Sequence, residues 1–259
     1  MKLKKFSDAM GELDTKYVAE AINYEKKEKK HRLVKWLAMA ACLAAALVVG
    51  VFSVSQQKDR ITLSDNSANV TAYYINNPFI FVNRSECLIY LTEEELFTTF
   101  DTAIFKGTVS QVRNIVVNFN GDKVYRAIAE IEVEKVYRGI YNAGDTILAM
   151  LPCPLGNGIL TTDTNTLSAM KAGTTGIFMP MIYADYENYI WEENGAKLDK
   201  RDIADCEFAD GERYAFLETE AGLVFSKTAY SSIADATTLE EIEDYIRTML
   251  EKLDSRQTQ

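Results

Sequence analysis

The stretch Thr102–Gly139, TAIFKGTVSQVRNIVVNFNGDKVYRAIAEIEVEKVYRG, decides the fold. Thr102 to Val112 reads as one strand and Ile115 to Phe119 as another. Asn120-Gly121-Asp122 then supplies the positive φ that a tight hairpin turn demands. On the return, Ala127, Ala129, Ile131 and Val133 alternate with Ile128, Glu130, Glu132 and Glu134. That period predicts a long strand with one buried face and one largely acidic face, ended by Gly139.

Working outward, Asn142 to Asp145 turns the chain, Thr146–Leu151 makes a further strand, and Gly176–Tyr183 reads as another buried one. Short strand candidates follow at Tyr189–Trp191, Tyr214–Glu218 and Leu223–Phe225. Thr238 and Glu241 form a capping box ahead of a helix striped by Leu239, Ile242, Tyr245, Ile246, Met249 and Leu250. Upstream, residues 55–77 are polar with scattered apolar positions and read as a tether. A β domain over 78–236 and a C-terminal helix and tail over 237–259 complete this part.

Charge divides the chain of 259 residues, whose formal net is -10. Residues 1–35 hold ten basic and six acidic groups, a net of +4; residues 36–259 hold 18 and 32, a net of -14. The sign changes across Trp36–Val54, WLAMAACLAAALVVGVFSV, 19 residues without a charge. At about 1.5 Å per helical residue such a run spans roughly the 30 Å hydrocarbon layer of a bilayer. A transmembrane helix is therefore expected over 36–54, with Trp36, Leu37, Leu43, Leu47, Val48, Val49, Val51, Phe52 and Val54 as its membrane-spanning residues. The lysines before it place the N-terminus in the cytoplasm and the long acidic part outside, a signal anchor in the cell membrane. A cleaved signal peptide, a lipoprotein modified at Cys42 and a buried soluble helix are the rival readings of the same run.

The expected fold class is thus mainly β (α+β), one transmembrane helix followed by an extracytoplasmic OB-like β-barrel with a C-terminal helix. Within the arm, Phe6, Met10, Leu13, Val18 and Ile22 form short apolar stripes at helical spacing. They are candidates for docking a cytoplasmic regulatory protein, while the Lys26–Lys35 cluster suits an anionic lipid surface.

The arm FSDAMGELDTKYVAEAINYEKKEKK, followed at once by the apolar run, resembles single-pass bacterial membrane proteins of the anti-sigma-factor-like kind. That resemblance implies a sigma factor as the cytoplasmic partner, although the arm lacks an H-x-x-x-C-x-x-C signature and has no cysteine before Cys42. The order F-K-G-T-V, hairpin, long strand ending V-Y-R-G, G-D-T-I, then a G-x-x-x-F strand, over residues 101–183, is similar to OB-like barrels and tissue-inhibitor-of-metalloproteinase-like domains. Such barrels bind oligonucleotides, oligosaccharides or proteins.

Chemistry-bearing motifs are few. An acidic chain disfavours nucleic acid, and the single His31 excludes most zinc sites and imidazole-based triads. Ser168-Ala169-Met170-Lys171 matches S-x-x-K without its S-D-N and K-T-G companions. Cys87, Cys153 and Cys206 allow three pairings and no C-x-x-C motif. Asp163 and Asn165 offer oxygen ligands in a Thr-rich loop, the glutamates 130, 132 and 134 form a wet strand face, and Tyr183, Tyr186, Tyr189 and Trp191 offer an aromatic surface. No catalytic residue, metal or cofactor is called for. The expectation is a non-enzymatic binding or sensing protein with an unknown external ligand. The alternative is a tethered binding or inhibitory module for a cell-envelope glycan, peptide or protease.

Overall fold

The structure is a computed structural model, and it describes residues 59–76, 88–156, 165–185 and 189–257. In chain order the elements are β1 (Arg60–Ile61), β2 (Val70–Ile75), α1 (Glu93–Thr98), β3 (Ile104–Phe119), β4 (Asp122–Arg138), β5 (Thr146–Leu151), α2 (Asn165–Ser168), β6 (Thr175–Phe178), β7 (Met181–Ile182), β8 (Ile190–Glu193), β9 (Ala196–Asp199), β10 (Cys206–Glu207), β11 (Ala215–Thr219), β12 (Gly222–Val224) and α3 (Leu239–Gln257).

The fold is mainly β, built on a half-barrel sheet of order β12-β11-β6-β3-β4-β5-β10-β7, with β2 and β1 continuing from the far half of β3. β10 runs parallel to β5 and antiparallel to β7, and a bridge between Thr102 and Met181 ties β7 back to the start of β3. The β3–β4 hairpin is the spine. Its two-residue turn has φ of 51° at Asn120 and 109° at Gly121, the left-handed pair that brings Phe119 opposite Asp122.

β3 is one continuous strand, not the two that the sequence pattern predicts. The register slips between Val109 and Gln111, an irregularity that gives β3 one extra residue. An extra residue turns every later side chain to the other face, so the apolar alternation breaks and resumes out of phase. Val109 therefore packs with Ala127, Ala129, Ile131, Phe178 and Phe216 in the main core, whereas Ile115, Val117 and Phe119 enter a second core with Ile128, Met150, Leu198 and Ala72. The run Gly176–Tyr183 is likewise divided into β6 and β7 at Met179-Pro180, where proline has no N–H to donate. Residues 59–76, read from sequence as tether, supply β1 and β2. β2 pairs with β3 from Asn114 to Phe119, but only its Ala72 is buried, so no apolar stripe announces it.

α3 carries the expected capping box, with Thr238 accepting from the Glu241 N–H at 3.3 Å and Glu241 accepting from the Thr238 N–H at 3.0 Å. Leu239, Ile242, Ile246 and Met249 are buried against the sheet, and the other face is charged. Among the described residues no helix is long and apolar enough to cross a membrane. The expectations of a transmembrane helix, a signal anchor and a single-pass membrane localisation are corrected accordingly. An uncharged run of suitable length is a property of composition, while a span needs a helix that is apolar all round. α3 has the length at 19 residues, but its charged face keeps it in water over the sheet. The stretch 36–54 itself lies outside the described residues.

Candidate functional site

A cleft of about 630 Å³ opens between the segment 88–93, the 212–213 turn and the 226–231 loop. Each wall is fixed by local chemistry. On one side Thr92 caps α1: its hydroxyl accepts from the Glu95 N–H at 3.3 Å, and the Glu95 carboxylate accepts from the Thr92 N–H at 2.7 Å. Leu96 and Phe97 sink into the main core, and the carbonyl of Phe97 accepts from Arg138 Nη1 at 2.9 Å.

Glu93 and Glu94 fasten α1 to the C-terminal part of the chain. Glu93 accepts from the Ser232 N–H at 2.8 Å, from Ser231 Oγ at 3.2 Å and from Tyr245 Oη at 2.8 Å. Burial alone would raise its pKa, but the hydrogen bonds from Ser232, Tyr245 and Ser231 prevail and hold it below the usual carboxylate range. Glu94 pairs with Lys252 and Arg256.

The opposite wall rests on the buried Asp210. It accepts from the backbone N–H groups of Glu212 at 2.9 Å and Arg213 at 2.8 Å, and from Arg213 Nε at 2.7 Å. Arg213, with its side chain only 11% exposed, then reaches across the cleft floor to donate from Nη1 to the Ile89 carbonyl at 2.7 Å. Glu212 holds the N-terminus of α2 through the Asn165 N–H at 2.6 Å. Ser226, Thr228, Ala229 and Ser231 close the third side, while Ile89 and Tyr90 line the mouth at 78% and 86% exposure.

A smaller recess of about 200 Å³ lies on the outer face of β4, β5 and β10, between Arg126, Met150 and Glu207. Lys200 pairs there with Glu207, and its amine lies 5.0 Å from the centre of the Tyr183 ring. Burial pushes the Cys206 thiol and the Tyr183 hydroxyl well above their ordinary pKa values.

The residues singled out in the sequence do not converge on either opening. Ser168 Oγ donates to the Asn165 carbonyl at 2.9 Å, and Lys171 pairs with Glu220 at 3.1 Å, so the S-x-x-K residues have separate partners. Cys153 and Cys206 are buried and not joined to each other, whereas Cys42 and Cys87 lie outside the described residues. Glu130 and Glu134 accept from Ser110 and Thr108 on the wet face of the hairpin. Trp191 packs on Phe119 with ring centres 4.7 Å apart, and Tyr189 stacks under Arg201 at 3.6 Å, so the aromatics serve different contacts. Among the described residues no three His, Cys, Asp or Glu side chains group as metal ligands. His31, Asp163, Tyr186, the docking candidates Phe6, Met10, Leu13, Val18 and Ile22, and the membrane-spanning set expected within 36–54 lie outside the described residues.

Sequence reasoning missed Asp210, Arg213, Ser226 and Thr228. The signal available was Asp210-Gly211, a turn dipeptide whose carboxylate caps the backbone that follows. The N-terminal wall had its own signal, since Thr92-Glu93-Glu94-Glu95 is a capping-box sequence ahead of Leu96-Phe97. No family model matches the chain, and no curated protein and no solved structure shows significant similarity to it.

Proposed function

We propose that the chain is a non-catalytic recognition protein whose β domain holds a peptide or glycan ligand in the cleft between α1 and the 226–231 loop. The observation that carries this reading is the cleft itself. At about 630 Å³ it has the size of small-molecule and short-oligomer sites, and its walls are tied to one another through the Arg213–Ile89 and Glu93–Ser231 hydrogen bonds. Its carboxylates, Glu93 and Glu212, are engaged as hydrogen-bond acceptors, which suits them to shaping a site. Elsewhere the buried hydroxyls and the Cys206 thiol are held in their protonated forms, the state that binds and packs and is a poor nucleophile.

The strand order supports the likeness to OB-like barrels. A meander of β3, β4 and β5 is followed by β6 and β7, and β10 then inserts between β5 and β7 in Greek-key fashion. A regulatory protein partner for the arm, such as a sigma factor, belongs to the same reading and rests on the apolar stripes from Phe6 to Ile22.

The test is calorimetric titration of the full chain with N-acetylated tetrapeptides and with neutral tetrasaccharides, set beside Thr228→Trp, which fills the cleft from an exposed position. The reading expects at least one probe to bind and the variant to lose it with an unchanged melting temperature. Absence of binding, or equal binding by the variant, would overturn it.

A further inference from the structure

Toward its turn, the β3–β4 hairpin outruns the main core. The face that carries Ala127, Ala129 and Ile131 into that core continues as Tyr125 and Lys123, with β3 and then β2 paired alongside. In register, Tyr73 of β2, Val116 of β3 and Tyr125 of β4 form one row across the three strands, and Arg60 of β1 stands opposite Tyr73 at its end. The next row toward the turn is Thr71, Asn118 and Lys123. Paired residues of an antiparallel sheet project to the same side, and residues two apart along a strand share it, so both rows make one surface. The other side of the same strands puts Ala72, Ile115, Val117 and Phe119 into the second core. Tyr73, Val116 and Tyr125 join neither core and stay partly exposed, with Arg60 and Lys123 fully at the surface beside them.

The charges of this surface are of one sign. Neither row contains an acidic side chain, although the chain around them is acidic overall. Arg60 and Lys123 are in no ion pair among the described residues, and the Arg60 guanidinium lies 6.0 Å from the centre of the Tyr73 ring. We infer that the face is a second binding surface, and that it takes an anionic β-1,4-linked glycan of the polyuronate class. Tyr73 and Tyr125 stand two inter-strand spacings apart, roughly 9.5 Å, which is close to the repeat of every second sugar along such an extended chain. Alternate pyranose rings then lay their apolar faces on the two tyrosines, with Val116 between them. Carboxylates of the chain meet Arg60 at one end of the row and Lys123 beside Tyr125 at the other. With a Debye length of about 10 Å at 0.1 M salt, these two cations set the local field while the more distant acids are screened. A single-stranded nucleic acid shares the negative charge and the stacking, but its successive stacked bases sit much closer together than the two tyrosines. The inference goes beyond the cleft reading and uses none of its residues.

The probes, each titrated calorimetrically into the full chain, are a β-1,4-linked hexamannuronate, cellohexaose as the neutral chain of the same linkage, and an oligothymidylate of six nucleotides. The hexamannuronate is expected to bind at least tenfold more tightly than either of the others. Tyr125→Ala is expected to weaken it at least tenfold. The double variant Arg60→Gln with Lys123→Gln changes two exposed side chains, so it is expected to keep the melting temperature and to bring the hexamannuronate down to the level of cellohexaose. Thr228→Trp, which fills the cleft, is expected to leave hexamannuronate binding unchanged. Equal binding of cellohexaose, tighter binding of the oligothymidylate, no loss in the double variant, or no binding of any probe overturns the inference and leaves the cleft reading standing. Loss of the hexamannuronate in Thr228→Trp also overturns it, because the glycan then belongs to the cleft.

Discussion

Glu243 joins α3 to the sheet. Its carboxylate pairs with Lys106 at 3.0 Å and Lys135 at 2.6 Å, one from each strand of the β3–β4 spine. Burial pushes its pKa up, yet the hydrogen bonds from Lys135 and Lys106 prevail and lower it to about 2. A carboxylate depressed on folding contributes stability above its unfolded pKa, and that contribution is lost as pH falls through the folded value. Stability is therefore expected to drop between about pH 4.5 and pH 2. Glu243→Gln is expected to cost about 1–3 kcal/mol at pH 7 and to flatten that acid limb, read as melting temperature against pH. An unchanged acid limb in the variant would show that the pair contributes nothing. Glu93, Glu94 and Glu241 shift in the same direction through their own hydrogen bonds, so acid is expected to loosen both helices.

At the scale of elements, the close packing of neighbouring strands depends on a pair of glycines. Gly107 of β3 and Gly176 of β6 face each other in register. A Cβ on Gly176 would meet the Phe216 carbonyl oxygen at 2.6 Å and Leu217 Cδ2 at 2.9 Å, so neighbouring backbone has to move. Gly176→Ala is accordingly expected to destabilise the domain by about 1–3 kcal/mol, measured by urea unfolding; a neutral effect would mean that the strands spread without cost. The elements that were legible in sequence are those whose signal is local. Asn120-Gly121 announces its own turn, Thr146–Leu151 is a strand to the residue, and Thr238 with Glu241 marks the start of α3. β3 was misread because the irregularity near Ser110 is a property of pairing with β4 and leaves no mark except a phase change. The cleft was not legible because its donors come from separate segments, Arg213 before β11 and Ser226 and Thr228 after β12. Nothing local in the chain relates them.

For the whole molecule, net charge governs how a ligand arrives. Residues 59–259 carry 17 basic and 32 acidic groups, a net of -15, while an N-acetylated tetrapeptide brings the negative charge of its own terminus. Long-range repulsion between them is screened by salt, with a Debye length of about 10 Å at 0.1 M. Raising the salt from about 20 to 150 mM is therefore expected to leave the affinity for the tetrapeptide unchanged or raise it a few-fold. A steep fall, as in phosphate recognition by basic surfaces, would place the binding elsewhere on the chain. The measurement that tests the central claim most directly is a map of backbone amide shifts as an N-acetylated tetrapeptide or a neutral tetrasaccharide is titrated into the full chain. The account predicts that the shifts centre on Leu88–Glu93, Glu212–Arg213 and residues 226–231. Shifts centred instead on Arg126, Met150 and Glu207 on the outer face of β4, β5 and β10, or no shifts at all, would contradict it.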